Sequence, residues 1–270
     1  MTEPTGPWRQ VNLHFANWPD VEQLAARHLL PALTAAQGAG DLTGWHFLRK
    51  APCWRMRYRP RESAAPIRDE LDPILRTLHA AGHLSRTVEV VYEPETHAFG
   101  GPAAMDIAHR LFHQDSHAII DFLSHPRGPR DHRREVSILL LVALMRGARQ
   151  DWYEQGDIWA RTAANRPLDS ADPDRLASLR TSLTPLLAAD TGPASRLLTA
   201  GPLAFAAPWL AAFQHAGQQL HQLHDDGRLA RGLRAVLAHH VLFHWNRIGI
   251  PHRGQALIAR AAQDTVLAES

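Results

Sequence analysis

An α+β fold is what this sequence predicts, and three observations predict it. Up to residue 98 the chain mixes short runs of period two with amphipathic stretches of period 3.6. After Gly100 the pattern is helical throughout. The change falls at Gly100-Gly101-Pro102, a joint suited to end one kind of element and start the other.

Each element follows from its residues. Trp8 to Ala16 alternates, with Val11, Leu13 and Phe15 on one face, as a half-buried strand does. Asn17-Trp18-Pro19-Asp20 stops it and caps a helix bearing Val21, Leu24 and Leu29, bent or interrupted near Pro31 and fading by Gly38. Trp45–Lys50 and Trp54–Tyr58 read as the second and third strands, separated by the tight Ala51-Pro52-Cys53. In the third strand Arg55 and Arg57 share one side, and Trp54, Met56 and Tyr58 the other. A second helix runs from Ile67 to His83 with Leu71, Ile74, Leu75 and Leu78 as its stripe, and Arg86–Glu93 is the fourth strand. The order strand, helix, strand, strand, helix, strand predicts a ferredoxin-like βαββαβ antiparallel sheet with two helices on one face.

The rest is a mostly α-helical part. Helices are expected at Pro102–Leu123, Arg133–Arg146, Asp151–Ala164, Asp172–Ala189, Leu203–Asp225, Leu229–Ile248 and Gly254–Leu267. Breaks fall at Pro126-Arg127-Gly128-Pro129, Arg166-Pro167 and Gly192-Pro193. The expected organisation is a ferredoxin-like half, 1–98, and a helical half, 99–270, packed as one unit.

Composition narrows the function classes. With 270 residues and 45% hydrophobic content a sizeable core is available. The longest apolar run, which begins at Ile138, is far shorter than the ~18 residues of a membrane span. No signal peptide opens the chain, and the lone Cys53 forms no internal disulfide, so a cytoplasmic location is expected. Lys50 is the only lysine; the arginine bias suits fixed recognition of carboxylate or phosphate, and equally reflects a GC-rich genome. No basic run interleaved with aromatics is present, so direct nucleic-acid binding is not expected.

Three places carry candidate chemistry. At the Gly-Gly-Pro joint, the backbone N–H groups of Gly100 and Gly101 are either an anion site at a helix start or part of a tight packing turn. In the helix that follows, Ser116 falls in the apolar stripe with Met105, Ala108, Phe112, Ile119 and Leu123, and Asp115 lies at its edge. Such a pair must find donors and acceptors, and pinning the joint is its expected role, since no adjacent base makes Ser116 a nucleophile. In the late helix, His240, His244 and Arg247 share one face and His239, Phe243 and Asn246 a neighbouring one. The histidine pair lacks the Glu of a HExxH motif and any third ligand, so no metal is expected; a general acid or base beside an arginine is the reading to test against a hydrogen-bonded helix face. Finally, Arg55 and Arg57 form either an ordinary polar strand face or a carboxylate-binding fork.

Together LRKAPCWRMRYRP (Leu48–Pro60), YEPETHAFGGPAAMDIAHRLFHQDS (Tyr92–Ser116) and HHVLFHWNRIG (His239–Gly249), with the opening TGPWRQVNLHF, resemble the thiopeptide-type bacteriocin biosynthesis domain. That family is also the C-terminal, glutamate-eliminating domain of class I lantibiotic dehydratases and includes thiopeptide pyridine synthases. The resemblance spans most of the chain, in family order, and implies the ferredoxin-like sheet with an added helical part.

It also implies a stand-alone lyase, without a cofactor, acting on a ribosomal precursor peptide made of leader and core. In one family activity, a glutamylating dehydratase subunit uses glutamyl-tRNA to modify Ser or Thr, and the eliminating domain removes glutamate to leave dehydroalanine or dehydrobutyrine. In the other, a formal [4+2] aza-cyclisation joins two dehydroalanines, with loss of water and leader, into a pyridine. A third class is a non-catalytic scaffold that binds the leader. For elimination the resemblance assigns glutamate binding to Arg55 and Arg57, proton transfer to His244 or His240, and places Arg247 and Asn246 nearby. A free edge of the sheet would take the leader by strand addition, and the partners expected are the precursor, the glutamylating subunit and, in a homodimer, a second copy. This chain departs from the eliminating members at Ala98 and Pro94, where arginines are usual, and at Leu242, where a histidine is. These departures favour the cyclase; the retained blocks favour elimination.

Overall fold

The computed structural model describes residues 7–61, 68–124, 132–168, 170, 172–192, 194–201 and 203–267. Four strands, β1 (Arg9–Phe15), β2 (Leu42–Lys50), β3 (Cys53–Pro60) and β4 (Leu84–Val91), form one sheet in the order β2-β3-β1-β4. Every pairing is antiparallel, with Val11 opposite Met56 and Glu89, and Trp45 opposite Tyr58. This is the ferredoxin-like order that the alternation predicts. β2 starts at Leu42, earlier than the alternation suggests, because the register shifts between Leu42 and Gly44.

The apolar face of the sheet carries Val11, Leu13, Phe47, Trp54 and Met56, all buried, with Phe47 stacked on Trp54 at 4.4 Å. α1 (Val21–Leu24), a π-helical turn (Ala25–Leu29) and α2 (Leu30–Ala39) make the first connection. The interruption expected near Pro31 is this π turn. Proline offers no N–H to the carbonyl four residues before it, and the wider turn accommodates the loss. α3 (Arg68–Ala80) makes the second connection and buries Leu71, Leu75 and Leu78. Its expected first residue, Ile67, lies outside the described residues, as does the Pro126–Pro129 break and Pro193.

The helices that follow are α4 (Pro102–Ser124), α5 (Arg133–Gly147), α6 (Trp152–Ala164), α7 (Pro173–Ala188), the short α8 (Arg196–Thr199), α9 (Ala207–Asp225), α10 (Leu233–Ile248) and α11 (His252–Leu267). α8 is too short to show a period. α6 starts where Asp151 and Glu154 form a capping box. α9 starts later than Leu203 because Ala204–Ala206 is a 3-10 turn ahead of Pro208. α10 starts at Leu233, not Leu229, because Ala230 N–H donates to Gly100 O (2.9 Å) and Gly232 caps the helix. α5 is apolar on all sides and buried from Val136 to Met145, as a helix at the centre of a bundle is. It packs on α9, where a Cβ on Gly147 would lie 2.2 Å from Gln214 O and one on Gly217 2.1 Å from Leu144 O.

The chain divides into two compact units. The first comprises the residues up to Pro94 together with α4 from Ser116 onward; the second runs from Glu95 to Asp115 and resumes with α5. The sequence reading divides at 98/99 and leaves α4 whole; in the structure α4 contributes to both units. Among the described residues no helix is long and apolar enough to cross a membrane.

Candidate functional site

In the second unit the candidate residues converge on Asp115, which is fully buried. Arg247 Nη1 donates to its Oδ2 at 2.6 Å, Trp209 Nε1 to its Oδ1 at 2.9 Å, and His244 Nδ1 lies 3.0 and 3.1 Å from the two oxygens. The i, i+3 spacing of His244 and Arg247 puts both on one face of α10, and α9 supplies the tryptophan. Burial alone would raise the Asp115 pKa; the charges and hydrogen bonds of His244 and Arg247 win and hold it below the usual carboxylate range. The Arg247 guanidinium also lies 4.3 Å from the centre of the Phe112 ring, and the His244 ring meets Phe213 edge-on at 5.1 Å. His244 and Arg247 are 2% and 1% exposed, so this carboxylate is neutralised inside the protein. With Nδ1 facing Asp115, His244 keeps Nε2 as its other nitrogen, and that atom has no hydrogen-bond partner among the described residues.

His240, one turn earlier, sits apart from the carboxylate in an aromatic shell. Its ring lies 4.9 Å from Phe99 and 6.1 Å from Phe112, and Phe112 stacks on Phe243 at 5.5 Å. Desolvation first, then the nearby His239 and Arg247, pushes its pKa down to about 3, so it is neutral at pH 7. Asn246 turns to α11, where its Oδ1 accepts from Gln255 Nε2 at 2.9 Å. His239 is the more accessible imidazole of α10 and pairs with Glu95 at 2.8 Å, a partner that sequence spacing does not reveal.

The Gly-Gly-Pro joint is a turn whose amides are taken. Gly100 N–H donates to His97 O at 3.1 Å and Gly101 N–H to Thr96 O at 2.9 Å. Both glycines have positive φ, 93° and 105°, and a Cβ on Gly100 would meet Val236 at 3.0 Å and Leu229 at 3.1 Å. These contacts are those of a packing turn, and they occupy the N–H groups of both glycines. Ala98 O accepts from Arg231 Nη1 at 2.9 Å.

In the first unit a second cluster occupies the polar face of the sheet. Cross-strand pairing sets Arg57 opposite Gln10 and His46, and Arg55 opposite Asn12 and Leu48. Arg57 Nε donates to Gln10 Oε1 at 2.8 Å, and Gln10 Nε2 donates to Asn12 Oδ1 at 2.9 Å. The Arg57 guanidinium lies 4.5 Å from the centre of the Tyr92 ring, and Trp8 meets His46 edge-on at 4.9 Å. Arg57 is buried, whereas Arg55 is half-buried and makes no hydrogen bond among the described residues. Sequence spacing does not single out Gln10, Asn12, His46 and Tyr92, although the alternation of RQVNLHF places Gln10 and Asn12 opposite Val11, Leu13 and Phe15. Ser116, fully buried at the start of this unit's share of α4, accepts from Phe47 N–H of the edge strand β2 at 3.3 Å.

Among the described residues no group of three or more His, Cys, Asp or Glu gathers as a metal site would require.

Comparison with known proteins places these features in a family. No curated protein matches the sequence. Among solved structures the chain is similar to the tRNA-dependent lantibiotic dehydratase MibB from Microbispora sp. 107891, at 18% identity and a TM-score of 0.66, over 97% of this chain and 28% of that one. The chain therefore spans little more than a quarter of that dehydratase. It is similar to TsrL at 17% identity and a TM-score of 0.65, over 96% of this chain and 95% of that one. It is also similar to TbtD, the pyridine synthase from thiomuracin biosynthesis, at 14% identity and a TM-score of 0.59, over 97% of this chain and 99% of that one. These identities show a shared fold. The family described as lantibiotic biosynthesis dehydratase C-term matches residues 8–266, and the chain belongs to that family.

Proposed function

We propose that this chain is a lyase acting on a leader-bearing ribosomal precursor peptide, and that its reaction is elimination of glutamate from O-glutamylated Ser or Thr. The observation that carries this reading is the arginine pair on β3. Arg57 is braced by Gln10 and Tyr92, and Arg55 stands on the same face without a hydrogen bond. A braced and an open guanidinium side by side suit the carboxylates of a departing glutamate. In the step itself a base takes the Cα proton, the Cα–Cβ double bond forms and the Cβ–O bond breaks, with glutamate leaving as the carboxylate. His244, whose Nδ1 is held by Asp115 so that Nε2 is the basic nitrogen, is the base of this proposal. Such a lyase requires a partner that glutamylates the precursor.

Cyclisation of two dehydroalanines to a pyridine is the second reading. It is favoured by Ala98, whose carbonyl is tied to Arg231, and by Leu242, buried at 6% exposure; both are apolar where the eliminating members resembled here carry a cation and a base. It needs acid–base help in losing water more than it needs cations.

One measurement separates the two. The purified chain is given an O-glutamylated peptide and, in parallel, a peptide already holding two dehydroalanines, and the products are weighed by mass spectrometry. Loss of glutamic acid from the first upholds elimination. Loss of water and leader from the second transfers the assignment to cyclisation. Inertness toward both overturns the enzyme reading and leaves a leader-binding scaffold.

A further inference from the structure

The amide network on the polar face of the sheet has a direction. A guanidinium can only donate, so Gln10 must turn its Oε1 to Arg57 Nε, which it meets at 2.8 Å. The amide nitrogen of Gln10 is then the one that faces onward, and it donates to Asn12 Oδ1 at 2.9 Å. With its oxygen occupied in this way, Asn12 is left with its Nδ2 group, a donor that has no acceptor among the described residues. The chain of bonds starts at a cation and ends in an unused donor.

That donor stands beside Arg55. Asn12 and Arg55 are direct cross-strand partners on β1 and β3, which puts their Cβ atoms about 5 Å apart on one face of the sheet. Both are half-buried. Their row continues to Leu48 on β2 and Val88 on β4, so it is aliphatic on either side and contains no acidic residue. Arg55 makes no hydrogen bond or ion pair among the described residues. An amide and a guanidinium, neither of them satisfied by the protein, thus lie side by side.

We infer that Asn12 is a carboxylate-binding residue, and that its Nδ2 and the Arg55 guanidinium hold one carboxylate of the departing glutamate together. The neutral N–H fixes the orientation of a carboxylate that the cation attracts. Arg57 and Gln10 act through Asn12 as positioning residues, because they set which end of its amide faces the ligand. This role for Asn12 rests on the reading of the arginine pair as a glutamate site.

Isothermal titration calorimetry of the full chain with L-glutamate, the proposed leaving group, tests it. The wild-type protein should bind, and Arg55→Ala should weaken binding about tenfold or more. Asn12→Leu keeps the size and removes the donor, and should weaken binding about tenfold, as the loss of a hydrogen bond to a charged group does. Asn12→Asp keeps an oxygen for Gln10 but replaces the donor with a second carboxylate oxygen, and should bind more weakly still. Asn12→Leu combined with Arg55→Ala should lose less than the product of the two single losses, because one carboxylate serves both residues. Thermal denaturation checks that the variants fold, and Asn12→Ala serves if Asn12→Leu does not. Binding lost in Arg55→Ala but unchanged in Asn12→Leu or Asn12→Asp would overturn the role of Asn12 and leave the arginine site standing. A double loss equal to the product would also overturn it, reducing Asn12 to a support for Gln10 and Arg57. A wild-type protein that does not bind glutamate would overturn both the role of Asn12 and the reading of the arginine pair.

Discussion

The two polar clusters of this protein treat their cations in opposite ways. Around Asp115 two hydrogen-bond donors and an imidazole meet one carboxylate, and the charge of Arg247 is cancelled within the second unit. On the sheet of the first unit Arg57 donates to a neutral amide and lies over the face of a ring, and Arg55 beside it makes no hydrogen bond or ion pair among the described residues. A cation matched by a buried anion stabilises a fold; a cation positioned without one keeps its charge for something that binds later. The Asp115–Arg247 pair is therefore expected to answer to stability measurements and Arg55 to activity, with His244, the proposed base, answering to both.

The sharpest way to break that contrast is Asp115→Ala. It leaves Arg247 buried without its counter-ion and should cost about 3–5 kcal/mol in urea denaturation, large enough to threaten folding. A loss under 1 kcal/mol would mean that the Asp115 cluster is not architecture. Arg55→Ala comes next. It should lower product formation about a hundredfold in the mass-spectrometric assay while shifting stability by no more than about 0.5 kcal/mol. Loss of stability with full activity would reverse the roles of the two clusters.

The pH dependence of stability is a finer probe. His240 is neutral in the folded state, with its pKa pushed down to about 3, whereas the unfolded chain takes up a proton near 6.5. The unfolded state binds more protons between those values, so stability falls as pH drops below about 6.5, by about 1.4 kcal/mol per unit from this group. Denaturation midpoints at pH 7 and pH 5.5 measure it, and His240→Phe should flatten the slope. Asp115 acts in the same direction at lower pH: its folded pKa is depressed, so its contribution is present above the ordinary carboxylate range and is lost as pH falls through the folded value. The smallest effect is Ser116→Ala, which removes the acceptor of the Phe47 N–H and should cost about 1 kcal/mol.

Much of the fold is legible in the sequence because it rests on local periodicity. RQVNLHF and CWRMRYRP alternate, and the strand pairing follows from where Val11, Leu13 and Met56 must face. Pro31 announces the π turn by the N–H it lacks. The start of α10 is misread because a long-range bond, Ala230 N–H to Gly100 O, decides it, and no local signal encodes that bond. The candidate site is legible in the same uneven way. The shared helix face of His240, His244 and Arg247 is visible in their spacing, but the separation of roles is not. Only packing places His244 against Asp115 and His240 among phenylalanines. Trp209 and Glu95 complete these groups from 94 and 144 residues away, beyond the reach of any period.

The meeting of Gly147 and Gly217 has a consequence for how this protein can vary. With backbone oxygens about 2 Å from where a Cβ would stand, neither position accepts even alanine unless α5 and α9 separate. α9 carries Trp209, so a methyl group added at Gly217 would disturb the Asp115 carboxylate without touching it. In a saturation library both positions should tolerate almost nothing, and the surviving second-site changes should lie along the α5–α9 seam, far in sequence from the arginines and histidines that draw the eye.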